Sequence, residues 1–161
     1  MSIRIRQIEQ KDNPKIAATI RSILTEHGMN KPGTVYTDPT TNALFELFQT
    51  KGSFYWVVES DETILGGCGI YPTTGLKNGC VELVKLYLSK ELRGKGIGRQ
   101  LMKLCDVKAK TLGYETIYLE SMPELNRAVH LYRKMGYETL KTPMGNSGHF
   151  ACNLWMQKKL S

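Results

Sequence analysis

Glycine and positively charged residues alternate in a short segment past the middle of the chain. Residues 93–99 read RGKGIGR, and apolar residues recur at helical spacing directly after them. Because glycine has no side chain, backbone N–H groups in such a loop approach a ligand closely, and the positive end of the following helix points to the same place. The segment therefore has the chemistry of a phosphate or pyrophosphate site.

Two known phosphate-binding motifs do not match this loop. A P-loop requires Ser or Thr directly after Gly-Lys, and a dinucleotide-binding fingerprint requires G-x-G-x-x-G. Residues 94–98 read GKGIG, with no hydroxyl residue and one residue too few. A turn that serves packing alone remains the simplest alternative. The density of glycine and positive charge favours a pyrophosphate site over that alternative.

Hydrophobic periodicity predicts the elements that position this loop. The predicted strands cover residues 3–8, 53–60, 63–71, 80–89, 114–121, 137–141 and 149–160, and the predicted helices cover about 13–28, 42–49, 97–112 and 125–135. Ser121 and Glu124 have the spacing of a capping box for the last helix. The order β-α-α-β-β-β-α-β-α-β-β predicts one α/β domain over residues 1–161, with a right-handed crossover around the glycine loop.

The net charge of +7 favours an anionic partner, either a phosphate-bearing cofactor or a nucleic acid. A basic nucleic-acid module, with residues such as Arg99 and Lys103 on backbone phosphates, is one alternative. The sequence lacks a recognised reading helix and a basic stripe with interleaved aromatic residues, and this counts against a nucleic-acid partner.

The cysteines and the apolar runs limit the class of protein further. The four cysteines lie far apart and form no C-x-x-C motif, which predicts free thiols and no metal site. No apolar run approaches membrane-spanning length, and the N-terminal residues are charged from Arg4 onwards. These features predict a cytoplasmic protein with no membrane partner.

Two separate motifs resemble those of the GNAT N-acetyltransferases. Residues 93–98 are similar to the acetyl-coenzyme A loop of that family, [QR]-x-x-G-x-[GA], and residues 128–137 are similar to its A-x-x-L-Y-x-K-x-G-[FY] helix end. The predicted element order fits the family from residue 3 to residue 160. The resemblance implies a single mixed, mostly antiparallel, twisted sheet of about seven strands flanked by about four helices, splayed between strands four and five.

The resemblance also implies where acetyl-coenzyme A (acetyl-CoA) binds. The pantetheine arm of the cofactor is expected to bond to free backbone of the fourth strand, and the glycine loop is expected to hold the pyrophosphate. The implied contacts are Leu86, Tyr87, Leu88, Arg93, Gly94, Lys95, Gly96, Ile97, Gly98 and Arg99. The family usually carries Asn three residues before the matched Ala128. Here that position is Leu125, so a cofactor contact by the neighbouring Asn126 is in doubt.

Two residues are implied as catalytic by the same resemblance. Tyr132 corresponds to the general acid that protonates the departing thiolate, and packing in the apolar face of its helix is the alternative. Glu82 resembles the general base of one branch of the family. Strand alternation places Glu82 on one face with Leu86 and Leu88, where a carboxylate tends to have a raised pKa. A structural ion pair or a solvated glutamate is the alternative for Glu82.

The acceptor side of the site is less well defined by the sequence. In this fold the acceptor is expected between residues 31–41 and residues 142–150, with Tyr36 and His149 as candidate contacts. The sequence thus predicts an acyltransferase that moves an acetyl group from acetyl-CoA to a primary amine of a small molecule, amino acid or peptide by direct attack. Homodimerisation is left open. A coenzyme A-binding sensor without catalysis is the main alternative.

Overall fold

The computed structural model of the chain contains one seven-stranded sheet with helices on both faces. The structure describes residues 2–146, 148 and 151–160. The strands are β1 (Arg4–Gln7), β2 (Phe54–Ser60), β3 (Thr63–Tyr71), β4 (Cys80–Leu88), β5 (Thr116–Ser121), β6 (Glu138–Leu140) and β7 (Leu154–Lys159). The α-helices are α1 (Asn13–Glu26), α2 (Leu44–Leu47), α3 (Ile97–Thr111) and α4 (Asn126–Lys134). The predicted fold class and element order are confirmed.

The strand order in the sheet is β1-β2-β3-β4-β5-β7-β6, and β4–β5 is the parallel pair among antiparallel neighbours. This parallel pairing joins only Cys80–Glu82 to Thr116–Tyr118. Past Glu82, the described residues show no further pairing between β4 and β5. The two strands therefore separate towards the end of β4, as the predicted splay requires.

Two apolar clusters hold the helices to opposite faces of the sheet. On α1, Ile16, Ile20 and Leu24 recur at helical spacing and are fully buried against one face. On α3, Leu101 and Cys105 are buried against the other face. Each such side chain contributes roughly 1.5–3 kcal/mol when it is removed from water. The splayed ends of β4 and β5 are thus fixed between two packed layers.

Three predicted boundaries differ from the structure. The helix predicted over residues 42–49 is a 3-10 helix, Pro39–Ala43, followed by only one turn of α-helix in α2. The strand predicted over residues 149–160 begins at Leu154, and residues 149 and 150 lie outside the described ones. The predicted capping box is wrong, because Ser121 pairs with Leu154 in the sheet and α4 begins only at Asn126.

A β-bulge at Lys85 overturns the predicted alternation along β4. Lys85 adopts a left-handed backbone with φ of 55°, and the register against β3 gains one residue between Val84 and Tyr87. An extra residue reverses which face the following side chains occupy. Leu86 and Leu88 therefore pack on the α3 side, whereas Val84 and Tyr87 pack on the α1 side. The prediction that Glu82 shares a face with Leu86 and Leu88 is wrong.

The described part of the chain contains no helix that is long and apolar enough to cross a membrane. Its four cysteines are free thiols, and Cys68 and Cys105 approach each other to 3.8 Å between their Sγ atoms in the core. No group of three His, Cys, Asp or Glu residues within the described ranges is arranged to hold a metal ion.

Candidate active site

A groove of about 340 Å³ lies between the end of β4, the glycine loop and α4. Its lining includes most of the residues expected to bind the cofactor: Leu86, Tyr87, Leu88, Arg93, Gly94, Gly96, Ile97, Gly98 and Arg99. The remaining expected contact, Lys95, is exposed at the tip of the loop and does not line the groove. The structure thus brings nine of the ten expected cofactor contacts to one cavity.

The three glycines of the loop are required for two different reasons. Gly94 and Gly96 have φ of 77° and 76°, and a Cβ added at either would meet no atom within 4 Å. Both are glycine because of the backbone conformation, and the space beside them is open to a ligand. A Cβ at Gly98, in contrast, would lie 2.9 Å from Leu131 Cδ2, so this glycine allows α3 and α4 to pack closely.

Positive charge surrounds the start of α3. Gly96 is the N-cap of α3, and the first N–H groups of a helix have no acceptor within the helix. Arg99, Arg127 and Lys134 line the same groove. The helix end and these side chains together form an anion-binding environment.

Arg93 lies at this groove but is already engaged by the protein. Its guanidinium donates to the carboxylate of Glu26 at the end of α1, at 2.6 and 3.1 Å, and to the carbonyl oxygen of Leu88 at 3.2 Å. A bidentate pair of this kind fixes orientation as well as charge. The structure thus places Arg93 as a brace between α1, β4 and the loop.

A second, smaller cavity of about 50 Å³ lies beside the groove, at the splay. We call it the chamber. Leu86, Tyr87 and Leu125 line both cavities, whereas Asn126 lines neither. The chamber is further lined by Thr34, Val35, Glu82, Leu83, Val84, Lys85, Glu120, Ser121, Met122, Tyr132 and Cys152. Tyr132 and Glu82, which are far apart in sequence, therefore meet in one cavity.

Tyr132 projects from α4 into the buried end of the chamber. It is only 6% exposed, and its ring lies 5.9 Å from that of Tyr137. Burial raises the pKa of Tyr132 above 10.0, so the hydroxyl is protonated at neutral pH. Tyr132 also belongs to the α3-side apolar cluster. The predicted packing role and a proton-donating role are thus both compatible with its position.

Glu82 lies on β4 just before the strands separate and is 3% exposed. The hydroxyl of Thr73 donates a hydrogen bond to Glu82 Oε1. On the adjacent strand, Tyr118 donates to Glu120 Oε2 at 2.6 Å and accepts from the backbone N–H of Met144 at 3.0 Å. Two carboxylates therefore border the chamber, each held by a hydroxyl.

Two backbone hydrogen bonds join three loops, two of which supply the chamber-lining residues Thr34 and Cys152. The N–H of Ala151 donates to the carbonyl oxygen of Gly33 at 3.0 Å, and the N–H of Asn146 donates to that of Thr74 at 2.8 Å. Tyr36 does not line the chamber, because it is half-buried with its ring 6.0 Å from the guanidinium carbon of Arg21. His149, the other candidate acceptor contact, lies outside the described residues.

Several lining residues were not predicted from the sequence. Arg127 and Lys134 line the groove together with Leu131, and their i, i+4, i+7 spacing places all three on one face of α4. That spacing was a usable signal. Lys85 and Glu120 gave no comparable signal, because their positions depend on the bulge and on the separation of two strands.

The sequence of the chain is similar to those of known acetyltransferases. A family model described as the acetyltransferase (GNAT) family matches residues 13–137. The uncharacterized N-acetyltransferase YjgM of Escherichia coli strain K12 is 34% identical over 157 residues, which cover 97% of this chain and 94% of that protein. Human N-acetyltransferase 8 is 29% identical over 115 residues, which cover 67% of this chain and 51% of that protein.

Solved structures agree with this assignment. A GNAT-family acetyltransferase from Staphylococcus aureus Mu50 superposes with a TM-score of 0.87 at 19% identity, over 99% of this chain and 100% of that one. The PaiA N-acetyltransferase of Thermoplasma acidophilum, solved in complex with coenzyme A, superposes with a TM-score of 0.74 at 19% identity, over 99% of both chains. The sheet, the glycine loop and the family match lead to one conclusion: the chain belongs to the GNAT acetyltransferase family.

Proposed function

We propose that this chain is a single-domain enzyme that transfers the acetyl group of acetyl-CoA to a primary amine of a small molecule, amino acid or peptide. The observation that carries the proposal is the junction of the two cavities. The cation-lined groove at the glycine loop shares three lining residues, Leu86, Tyr87 and Leu125, with the chamber that Tyr132 and Glu82 line. A thioester in this junction would lie beside a proton donor and a carboxylate.

The groove has features that suit two parts of coenzyme A, the pyrophosphate and the pantetheine arm. The open space beside Gly94 and Gly96, with the N–H groups at the start of α3, suits a pyrophosphate. Past Glu82, β4 has no β5 partner among the described residues, so backbone groups of Leu86–Leu88 are available to an extended pantetheine arm. When bound, acetyl-CoA supplies a thioester carbonyl that an amine attacks directly.

The chain's own residues then move the protons. Glu82 accepts a proton from the acceptor's ammonium group at its carboxylate, while the hydroxyl of Thr73 keeps that carboxylate in place. As the carbon–sulfur bond breaks, Tyr132 donates the proton of its Oη to the departing sulfur and takes up the proton that the attacking nitrogen loses, so that an amide, a thiol and a neutral phenol result. Burial raises the pKa of Tyr132 and so keeps its hydroxyl protonated before the transfer. The apolar side chains of Leu86, Tyr87 and Leu125 limit water at the junction.

The test is a panel of primary amines assayed for thiol release from acetyl-CoA, beside calorimetric titration with coenzyme A. We expect coenzyme A binding and amine-dependent thiol release. Binding without release on any amine would favour the sensor alternative. Steeply salt-dependent binding of DNA or RNA without coenzyme A binding would favour the nucleic-acid alternative.

A further inference from the structure

Lys85 occupies a position that is unusual for a lysine. It is only 9% exposed, and it lies at the bulge of β4 with φ of 55°, a backbone conformation that non-glycine residues adopt rarely. The hydroxyl of the fully buried Tyr55 donates to the carbonyl oxygen of Lys85 at 2.7 Å and so fixes this backbone. Buried lysines are normally paired, because an unpaired ammonium costs free energy when it leaves water.

The ammonium of Lys85 has no such partner in the described part of the chain. No hydrogen bond and no ion pair joins its Nζ atom to a described residue. Burial lowers the pKa of Lys85, while the negative charges of Asp38 and Glu82 act in the opposite direction. Lys85 itself lines the chamber, as Glu82 does.

The lining of the chamber therefore combines one lysine, Lys85, with two carboxylates, Glu82 and Glu120, within a small volume. Its volume of about 50 Å³ accommodates roughly four water-sized groups. The amine, the α-carbon and the carboxylate of an amino acid are about this size and carry one charge of each sign. A second ammonium group on the acceptor would instead meet Lys85 and be repelled. Larger parts of the acceptor must extend through the mouth between the loops.

We propose that the acceptor is an amine that carries a carboxylate on the same or the neighbouring carbon, as an α-amino acid does, and that Lys85 binds this carboxylate. This inference rests on the proposed acetyl transfer. In this arrangement Lys85 holds the acceptor's carboxylate while Glu82 faces its amine. Lys85 is thus a specificity-determining residue. The alternative is that Lys85 only balances the charge of Glu82 and Asp38.

The experiment compares acceptors that differ only in the carboxylate. L-phenylalanine is paired with L-phenylalaninamide and phenethylamine, and L-methionine with L-methioninamide and 3-(methylthio)propylamine. For every acceptor in the two groups, kcat/KM is measured with the unsubstituted enzyme and with Lys85→Met. Methionine is unbranched like lysine and keeps a similar length, so the bulge is retained. Because the same acceptors are used with both enzymes, differences in the acceptors' own amine pKa values cancel in the ratio of preferences.

We expect the preference for the carboxylate-bearing acceptor to fall at least about tenfold in Lys85→Met, with the loss mainly in KM. Acetylation of the amide should lose less than acetylation of the carboxylate-bearing acceptor, and Lys85→Arg should restore part of the preference. The matched control is Lys77→Met, which removes the same charge from an exposed position in the loop before β4. Lys77→Met should leave the preference unchanged.

A second measurement does not depend on turnover. Binding of N-acetyl-L-phenylalanine and of its amide to the coenzyme A-loaded protein is measured by calorimetry, with the expectation that only the carboxylate form loses affinity in Lys85→Met. An unchanged preference and unchanged binding in Lys85→Met would overturn the inference. If no amine releases thiol, the proposed transfer fails, but the calorimetric comparison still decides whether Lys85 binds a carboxylate.

Discussion

Two buried tyrosines, Tyr132 and Tyr137, have neighbouring rings but differ in whether they line the chamber. Tyr132 lines the chamber, whereas Tyr137 does not, and the hydroxyl of Tyr137 has no hydrogen-bond partner among the described residues. Burial raises the pKa of both phenols. Both tyrosines are buried in the same cluster, but only Tyr132 reaches the chamber. Removing each hydroxyl in turn therefore separates a catalytic role from a packing role.

If Tyr132 protonates the departing sulfur, Tyr132→Phe keeps the ring and removes the transferable proton. Turnover should fall roughly 10²-fold while coenzyme A affinity is little changed, because a lost general acid acts on kcat. The matched variant Tyr137→Phe should keep full turnover. It should unfold at an equal or higher temperature, gaining up to about 1 kcal/mol, because an unsatisfied buried hydroxyl is removed. Near-normal turnover in Tyr132→Phe, with chemistry shown to be rate-limiting, would reduce Tyr132 to a core aromatic.

Glu82→Gln tests the other proton transfer. The amide keeps the shape of the side chain, including an oxygen that accepts from Thr73, but it cannot take a proton from the acceptor. Turnover near neutral pH should fall by about tenfold or more. Part of the loss should be recovered as the pH rises, because more of the acceptor is then present as free amine. A loss of equal size at every pH would instead make Glu82 a positioning carboxylate.

At the scale of elements, the loop between β4 and α3 combines backbone conformation with helix charge. Gly96→Ala adds a methyl group in the open space beside the groove and strains a left-handed backbone by about 1–2 kcal/mol. Gly113→Ala is a matched control, because Gly113 also has a left-handed φ, of 92°, and open space, but lies beyond the other end of α3. Both variants should lose similar stability in thermal unfolding.

Only Gly96→Ala should weaken coenzyme A binding, by about tenfold or more, since its methyl group blocks the approach of phosphate to the backbone. Calorimetric titration of the two variants separates this effect from strain. Equal affinities for coenzyme A in Gly96→Ala and Gly113→Ala would remove the loop from the proposed site.

The sequence predicted the elements well where local periodicity determines them. The faces of α1 and α3 follow from their apolar spacing, and the position of the loop follows from its glycines. The prediction failed at Lys85, because one inserted residue reverses the faces of β4 and no local pattern shows it. It failed at Ser121 as well, because pairing with Leu154 in the sheet overrides a local capping signal. The chamber arises from these long-range contacts, and this is why Lys85 was not predicted.

At the scale of the whole molecule, one half-buried arginine links three elements of the chain. Arg6 donates to Asp12 at 2.8 and 2.9 Å and to Glu59 at 3.0 and 3.1 Å, and it thereby joins β1, the start of α1 and β2. Burial alone would raise the pKa of Asp12, but the hydrogen bonds from Arg6 hold it below its ordinary value of 3.8. The folded state thus favours the charged carboxylate.

Arg6→Met should lower the free energy of unfolding by about 3 kcal/mol at neutral pH, because Asp12 is left buried without its partner. Since the folded-state pKa of Asp12 lies below 3.8, this stabilisation is present above that pH and is lost as the pH falls through the folded-state value. The difference between the two proteins should therefore shrink in acid. Arg4→Met is the control, because Arg4 is exposed and its ion pair with Glu59 is long, at 3.7 Å. Urea unfolding of Arg4→Met should show little change in stability.

The short parallel pairing of β4 with β5 has a consequence for the cooperativity of the sheet. Among the described residues, three residue pairs form the β4–β5 pairing that joins the strands β1–β4 to the strands β5–β7. Amide protons of β4 that face the gap lack the protection that a neighbouring strand gives, so they should exchange with deuterium faster than those of β2 and β3. Coenzyme A should slow this exchange selectively at residues 83–88. The cofactor would then serve the folded protein as a missing strand between β4 and β5.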